Sequence, residues 1–298
     1  MQQHGWKRSK IDLRKIINMD KYKSYFKKEV SIAAKKKAIN AKNKIRFNGW
    51  KKGSNKTKAL LYSPAKHILP LPSYVDLQPK CPFIYDQEDL GKCAGNTSSG
   101  LTQYLMRKHE YVDWMPSQLA LYYWNRMQKG NTSENNDDSL QDAMNSLIKF
   151  GVPHESLWKY EPKNFTIKPE KAVWSDGYWH SVKIGLSVEQ NIETIKSCVA
   201  EGSPIIFGMM VYSYFESPEM KKNGILKMPT SNDKILGGHA VMAVGYDDHT
   251  KMIKIRNSWG GKWGKNGYFF MPYDYILNPY YCDDFWTAHD FEQFKKSN

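Results

Sequence analysis

The feature that most constrains the fold is the segment 254–268, which reads KIRNSWGGKWGKNGY. Its apolar start is typical of a strand, and its Gly- and Trp-rich remainder is typical of a turn. The preceding segment 237–246, GGHAVMAVGY, predicts a buried strand that would hold His239 on a rigid element. The side-chain carbonyl of Asn257 can accept one imidazole N–H without adding charge. Together the two segments predict a histidine held in a fixed orientation.

A candidate nucleophile lies far upstream of this histidine. Small and polar residues follow Cys93, and the apolar residues Leu101, Tyr104 and Leu105 then recur at helical spacing. A helix is therefore predicted to begin at or just after Cys93. The positive end of the helix dipole lowers the pKa of a thiol from about 8.5 toward the range in which thiolate exists at neutral pH. A thiolate still needs a proton carrier, and His239 is the best candidate.

The order and spacing of these residues are those of a known family. His239 follows Cys93 by 146 residues and Asn257 follows His239 by 18, and papain-like enzymes have the histidine about 130–150 residues after the cysteine. Gln87, six residues before Cys93, matches the family glutamine whose amide joins the cysteine N–H in the oxyanion hole. Over about residues 73–290 the chain therefore resembles the papain/cathepsin-like cysteine peptidases, and segment 254–268 is the most specific part of the match.

The resemblance implies an α+β, papain-like two-lobed fold with the active-site cleft between the lobes. The catalytic domain would span 71–298, with a helical lobe from about 93 to 180 and a β-barrel-like, sheet-rich lobe from about 181 to 275. Segments 73–90 and 273–285 would each cross to the opposite lobe. Cys93 would lie on one wall of the cleft and His239 on the other.

The resemblance also implies a mechanism and its residues. Cys93 thiolate and His239 imidazolium would form an ion pair, Asn257 would orient the imidazole, Gln87 would donate to the oxyanion, and Trp259 would shield the His–Asn hydrogen bond. The enzyme would be a cysteine endopeptidase that acts on a protein or peptide through a thioester, without a metal or cofactor. Two alternatives remain: a papain-like fold used only for binding, and acyl transfer or amide hydrolysis on a non-protein substrate.

The residues that would contact substrate are less specific. No aromatic residue follows Cys93, a departure in which the chain resembles the bacterial and viral branch of the family, so a large DNA virus is a plausible source. Alignment with the family puts Asp137 and Asp138 where two glycines usually bind the substrate backbone. These carboxylates could favour basic side chains, or they could belong to an acidic loop tip in solvent. Gly208 and Ala240 would line the pocket next to the scissile bond.

The excess charge is confined to residues 1–70. This head holds 20 of the 44 Lys and Arg but only 3 of the 30 Asp and Glu, a net charge of +17, whereas the other 228 residues carry about −3. Helical spacing recurs within it at Tyr22, Phe26, Val30 and Ala33. We expect a propeptide that inhibits the catalytic domain, with active protein starting near Leu71; the segment 50–55, WKKGSN, faintly resembles a cathepsin B-type pro-region. A solvated basic helix and a nucleic-acid-binding segment are the alternatives.

The remaining features indicate little specific chemistry. With no Cys-x-x-Cys pair, the four cysteines predict neither a zinc finger nor a disulfide framework; Cys198 reads as a buried thiol in a helix, and the sequence does not decide whether Cys81 and Cys282 pair. The other histidines read as surface or structural residues: His109, His154, His180 and His249. No membrane span or secretory signal is evident, so we expect a location in the cytoplasm of the producing cell, or in a virion if the source is viral.

Overall fold

The computed structural model describes residues 50, 59–64, 70–87, 93–135 and 139–293. The chain divides into two units, Met1–Lys42 and Asn43–Asn298, and every described residue belongs to the second. The helix predicted in the head, from Tyr22 to Ala33, lies outside the described residues. Asp137 and Asp138 also lie outside them.

Most helices of the described part lie in its first half. They are α1 (Cys93–Lys108), α2 (Gln118–Gln128), α3 (Leu140–Lys149), α4 (Lys171–Tyr178), α5 (Ile192–Ala200), α6 (Pro218–Asn223) and α7 (Tyr273–Leu277). Ser117 and Ser139 cap α2 and α3, since each hydroxyl accepts a hydrogen bond from a backbone N–H of the first turn. The helix predicted from the residues around Cys198 is α5.

Eight strands of the described residues form one sheet. They are β1 (Leu60–Leu61), β2 (Tyr74–Asp76), β3 (His180–Ser187), β4 (Ile205–Tyr212), β5 (Ile235–Asp247), β6 (Met252–Arg256), β7 (Tyr268–Pro272) and β8 (Cys282–Gln293). Their order is β1-β3-β8-β4-β5-β6-β7, and β2 pairs with β5. The sheet thus includes residues on both sides of the helical segment, and β8 carries it well past residue 275.

Alternation along the central strands separates two apolar cores. In β4, Ile206 and Met210 contact the core that also holds the helices, whereas Phe207, Met209 and Val211 contact a second core on the other face. Burial of β4 and β5 on both faces explains why their sequences are nearly continuous apolar runs. The α+β architecture predicted from the sequence is present.

Helix α1 is the element that joins the helices to the sheet. Its small residues allow close contact: a β-carbon added at Gly95 would lie 3.1 Å from the carbonyl oxygen of Gln118 in α2, and one added at Gly100 would lie 2.7 Å from Nη1 of Arg256 in β6. The Arg256 guanidinium also lies over the Tyr85 ring, 4.7 Å from its centroid, and donates to the Phe83 carbonyl at 2.7 Å. One buried arginine therefore ties α1, β6 and the segment leading to Gln87.

All four cysteines fall within the described residues, and all are free thiols. Cys81 and Cys282 thus do not pair. Burial raises the pKa of Cys81 to about 11 and that of Cys198 to about 12, so both thiols are protonated and unreactive at neutral pH. Among the described residues, no helix combines the length and apolar character needed to cross a bilayer.

Candidate active site

The histidine and asparagine singled out in the sequence lie on neighbouring strands of the sheet and contact each other. His239 lies in β5 and Asn257 directly follows β6, the neighbouring strand. His239 Nε2 and Asn257 Oδ1 are 2.8 Å apart, and the same oxygen accepts the backbone N–H of Ser258 at 2.8 Å. Because Asn257 Oδ1 is an acceptor only, Nε2 carries the hydrogen and Nδ1 is left as the nitrogen that can exchange a proton with a substrate or thiol.

An aromatic cluster surrounds this hydrogen bond on one side. The Trp259 ring lies 5.1 Å from the His239 ring, centroid to centroid, and Phe215 packs edge-on against Trp259 at 5.2 Å. Trp263 packs edge-on against Trp259 at 5.3 Å. His239 is fully buried, and Trp259 is 5% exposed. The cluster therefore covers one side of the His239–Asn257 hydrogen bond, which is the position that the family resemblance implies for Trp259.

Gln87 is held beside the same turn. Its backbone N–H donates to the Ser258 carbonyl at 2.9 Å, and its side-chain Oε1 accepts the Ser258 hydroxyl at 2.6 Å. The Tyr160 hydroxyl donates to its carbonyl at 3.1 Å. Since Ser258 holds the amide oxygen, Nε2 is the end of the side chain that can donate to a developing oxyanion. Neither role was predicted from the sequence, that of Ser258 or that of Tyr160, although Ser258 follows Asn257 in the same motif.

Cys93 is the first residue of α1 and is fully buried. The first backbone N–H groups of a helix point away from its body along the helix axis, and the positive end of the helix dipole lies there. One turn further on, the Thr97 hydroxyl donates to the carbonyl of Ala240, the residue after His239, at 2.9 Å. This hydrogen bond fixes the start of α1 against β5. The predicted helix start at Cys93 matches the structure.

Burial determines whether His239 carries a charge in this structure. Burial lowers the pKa of His239 to about 4, and the hydrogen bond to Asn257 opposes the shift. At neutral pH His239 is therefore an uncharged imidazole. An imidazole of such low pKa is a weak partner for a thiolate, so the buried site is poorly suited to form the Cys–His ion pair.

The groove beside His239 is filled by a residue of the head. Trp50 is 6% exposed, and its indole lies directly on the α-carbon of Gly208, where a β-carbon would overlap the ring. A β-carbon at Gly238 would lie 2.8 Å from Cε3 of Trp50. Gly208 pairs with Ala240 across β4 and β5, and Met209 pairs with His239. Of the two small residues predicted to line a substrate pocket, Gly208 thus contacts the Trp50 side chain, and Ala240 lies opposite Gly208 on the neighbouring strand.

A carboxylate holds the Trp50 indole in place. Asp284 Oδ2 accepts the Trp50 indole N–H at 3.2 Å and the Leu140 backbone N–H at the start of α3 at 2.6 Å, and Oδ1 accepts the Trp286 indole N–H at 2.7 Å. Burial raises the pKa of Asp284, and the donated hydrogen bonds partly oppose the rise. Asp284 was not predicted from the sequence; its signal is an acidic pair among apolar residues, CDDFW at 282–286.

Comparison with known proteins identifies this arrangement. The sequence profile described as "Papain family cysteine protease" matches residues 72–278. The chain belongs to the papain family of cysteine proteases. It is thus a papain-like cysteine peptidase, a hydrolase with the two-lobed α+β fold expected from the sequence.

Individual relatives agree with this assignment to the papain family. A peptidase C1-like protein of Acanthamoeba polyphaga mimivirus is 35% identical over 214 residues, which are 69% of this chain and 69% of that protein. Xylellain, a cysteine protease from Xylella fastidiosa, is 31% identical with a TM-score of 0.77, over 87% of this chain and 100% of that chain. These viral and bacterial relatives agree with the branch that the motif around Cys93 resembles.

A more distant structure extends the likeness of fold. Digestive procathepsin L 3 of Tenebrio molitor larval midgut is similar with a TM-score of 0.61, 17% identity and coverage of 95% of each chain. At this level of identity the similarity concerns the fold of the papain-like protease alone.

Proposed function

We propose that this protease is a cysteine endopeptidase in which Cys93 is the nucleophile and His239 the acid and base. The Cys93 thiolate forms a C–S bond to the peptide carbonyl carbon, and the proton held on His239 Nδ1 passes to the leaving amine as the C–N bond breaks. Water then gives a proton to the same nitrogen and adds to the thioester, and the C–S bond breaks. Asn257 keeps the imidazole in one orientation through both steps.

The negative charge that develops on the carbonyl oxygen needs two donors. The backbone N–H of Cys93 and Nε2 of Gln87 fit this role, because Ser258 engages the amide oxygen of Gln87 and so fixes which end faces the reaction. Preorganised donors of this kind stabilise the oxyanion without reorganising during the reaction.

We further propose that the head inhibits the enzyme as a propeptide. The observation that carries this proposal is the position of Trp50, whose buried indole lies over Gly208 and Gly238 and donates to Asp284. A peptide substrate cannot enter a groove in which a tryptophan side chain is already packed. We also infer that this segment helps to bury His239 and so keeps it uncharged, in which case the head would block both binding and chemistry.

The test compares the full-length protein with shortened proteins. Residues 59–64 belong with the catalytic unit, because β1 pairs with β3 and Tyr62 is 5% exposed in the second core. A protein that begins at Ala59 therefore removes Trp50 and keeps β1, whereas one that begins at Leu71 also removes a buried tyrosine. We expect the protein beginning at Ala59 to hydrolyse a fluorogenic peptide far faster than unprocessed full-length protein. Equal initial rates would contradict inhibition by the head.

The catalytic assignment is tested in the protein that begins at Ala59. An epoxide that traps active cysteines should label Cys93 and no other thiol, since burial raises the pKa of Cys81, Cys198 and Cys282 and keeps those thiols protonated. Cys93→Ala should abolish both labelling and peptide hydrolysis, and Cys198→Ala is the matched control that keeps both. Retained hydrolysis in Cys93→Ala would refute the assignment. Labelling of Cys93 without peptide turnover would instead favour a binding module or a non-protein substrate.

The charge of the head supports a second candidate role. A net charge of +17 over residues 1–70 would favour binding to nucleic acid or another polyanion, with affinity that falls steeply as salt rises. Removal of residues 1–42 separates this role from inhibition, because it removes most of the charge and retains Trp50. Loss of DNA and RNA binding with inhibition intact would support both roles at once.

A further inference from the structure

Three residues that have no part in the proposed mechanism meet at the junction of the helices and the sheet. Asp176 lies in the last turn of α4, His180 is the first residue of β3, and His154 forms an isolated bridge with Pro116. Nδ1 of His154 lies 2.8 Å from Oδ2 of Asp176, and Nδ1 of His180 lies 3.7 Å from the same oxygen. One ligand atom from each residue can be chosen so that all three lie within 4.8 Å of one another.

Among the described residues, His180 lacks a hydrogen-bond partner for one of its ring nitrogens. The residue is 5% exposed, and within the described part of the chain its buried Nδ1 has no hydrogen-bond partner. Asp176 Oδ2 already accepts both the backbone N–H and the Nδ1 of His154, at 2.9 and 2.8 Å. A buried ring nitrogen without a partner is costly, typically about 1–3 kcal/mol, and is rare unless something is missing from the site.

We propose that His154, Asp176 and His180 bind a divalent transition-metal ion, with Zn²⁺ the best match. Two imidazole nitrogens and one carboxylate oxygen form a common three-residue ligand set for zinc, and a water molecule completes the tetrahedron. Calcium and magnesium prefer oxygen ligands and fit this set poorly. The ion gives His180 Nδ1 the partner that it lacks.

Zinc binding at this cluster requires a modest closure. In a tetrahedral site with zinc–ligand bonds of about 2.0–2.1 Å, two ligand atoms lie about 3.3–3.4 Å apart. Ligand atoms that lie within 4.8 Å of one another therefore reach bonding distance when side-chain rotations close the separation by up to about 1.4 Å. The side chains of His154 and Asp176 are 31% and 24% exposed, which leaves an entry path for the ion and a place for the water ligand.

Neighbouring groups hold the imidazole rings of His154 and His180 in place. The Trp114 ring stacks on His154 at 3.9 Å between centroids and meets His180 edge-on at 4.8 Å. The carbonyl of His180 accepts the backbone N–H of Val152 at 2.8 Å. A bound ion would cross-link the loop at 152–154 with the end of α4 and the start of β3, and would therefore stabilise the junction between helices and sheet.

The test uses the full-length chain with Cys93→Ser, because the thiol and imidazole of the cleft can themselves bind zinc. Isothermal titration with Zn²⁺ at pH 7.5 should show one ion per chain, and zinc should raise the midpoint of thermal unfolding. Co²⁺ should give a visible spectrum of nitrogen and oxygen ligands without a thiolate charge-transfer band. Binding should weaken below about pH 6, as protons compete for the imidazoles.

Substitutions assign the site. Asp176→Asn and His180→Gln should each weaken zinc binding by at least about 100-fold, because even outer-shell partners of a metal contribute about 10–100-fold. His249→Asn, at an exposed histidine on a turn, is the matched control and should bind zinc unchanged. If His180→Gln fails to fold, the half-buried His154→Gln replaces it. Absence of binding in the Cys93→Ser protein, or undiminished binding in folded Asp176→Asn, would overturn the proposal and leave a hydrogen-bonded His–Asp–His cluster.

Discussion

Substitution of Trp50 is the sharpest test of how the head inhibits the protease. The side chain is 6% exposed, fits against two glycines and donates one hydrogen bond to a buried carboxylate. Trp50→Ala removes both the apolar contact and the hydrogen bond. Trp50→Phe keeps most of the apolar contact and removes the hydrogen bond alone. The two variants therefore separate the two contributions.

The expected magnitudes follow from these contacts. A buried tryptophan removes about 150–250 Å² of surface from water, which at about 25 cal/mol per Å² corresponds to roughly 4–6 kcal/mol before ordering costs. Truncation of a buried aromatic residue to Ala typically costs about 3–5 kcal/mol. Since about 1.4 kcal/mol is a factor of ten, Trp50→Ala should weaken inhibition by 10² to 10³-fold or more. Loss of a hydrogen bond to a charged group costs about 1.5–3 kcal/mol, so Trp50→Phe should weaken it by about 10 to 100-fold.

The assay measures inhibition between separate molecules, which avoids self-processing during the measurement. A synthetic peptide of residues 43–58 is titrated against the protein that begins at Ala59, and Ki is obtained from the rate of fluorogenic peptide hydrolysis. The ratio of Ki values between variant and wild-type peptides gives each contribution directly. A peptide with Lys51→Ala and Lys52→Ala is the matched control, because it lowers the charge and keeps Trp50.

Two results would contradict inhibition through packing of Trp50. A Ki for Trp50→Ala within threefold of wild type would mean that the tryptophan does not carry the inhibition. A larger effect from the double lysine substitution than from Trp50→Ala would mean that charge attraction, and not packing in the groove, holds the head on the catalytic domain.

Three further predictions concern the catalytic site and the sheet. Gln87→Ala should lower kcat by about 10²–10³-fold through loss of an oxyanion donor. Ser258→Ala should lower kcat less, because only the hydroxyl that holds Gln87 is lost. Steady-state kinetics checks both variants, provided that the midpoint of thermal unfolding is unchanged. In unprocessed full-length protein, burial lowers the pKa of His239 to about 4. Alkylation of Cys93 by iodoacetamide at pH 6 should therefore be at least tenfold slower than in the protein that begins at Ala59. Equal rates would contradict burial of the histidine by the head. The pKa of Asp248 is lowered overall: burial raises it, but hydrogen bonds from Lys196, at 2.5 Å, and Tyr273 lower it by more. The stability that the ionised Asp248 contributes to the fold is therefore present above the unfolded pKa of about 3.9 and is lost as pH falls through the folded pKa. Lys196→Met should accordingly lower the free energy of unfolding by about 1–3 kcal/mol at pH 7 and by less below pH 4 in urea titrations, and a pH-independent difference would contradict the ion pair.

The four candidate catalytic residues, Cys93, His239, Asn257 and Gln87, could be predicted from the sequence because the central two lie in strong local patterns. A glycine pair directly precedes His239 within its strand, and Asn257 lies where a strand runs into a Gly/Trp-rich turn. The hydrogen bond between His239 and Asn257 joins residues only 18 apart in the sequence, so both belong to one local motif. The family spacing then related Cys93 and Gln87 to that motif across the rest of the chain.

The groove and the histidine cluster could not be read in this way. Trp50 and Asp284 are 234 residues apart, and Asp284 and Leu140 are 144 apart. No local pattern relates residues at such separations, because the contacts exist only after the sheet has brought β8 next to β4. Asp176 and His180 are only four residues apart, but His154 has no local relation to them, since a loop and most of helix α4 separate it from Asp176 and only the fold brings it there.

The same contacts predict where activation cleaves the chain. The sequence suggested a mature protein that begins near Leu71, but Leu60 and Leu61 pair in parallel with Leu186 and Ser187 of β3, and Tyr62 is buried in the second core. Removal of everything before Leu71 would expose that core, whereas a cut between residues 51 and 58 would separate Trp50 from β1 and leave the sheet complete. Once cut, the segment with Trp50 loses the high effective concentration that a tether of only eight residues provides, and it dissociates. We therefore expect N-terminal sequencing of the active species to give a start between Lys51 and Ala59. A first stable active form that starts at or after Leu71 would show that β1 and Tyr62 are dispensable and would contradict this inference.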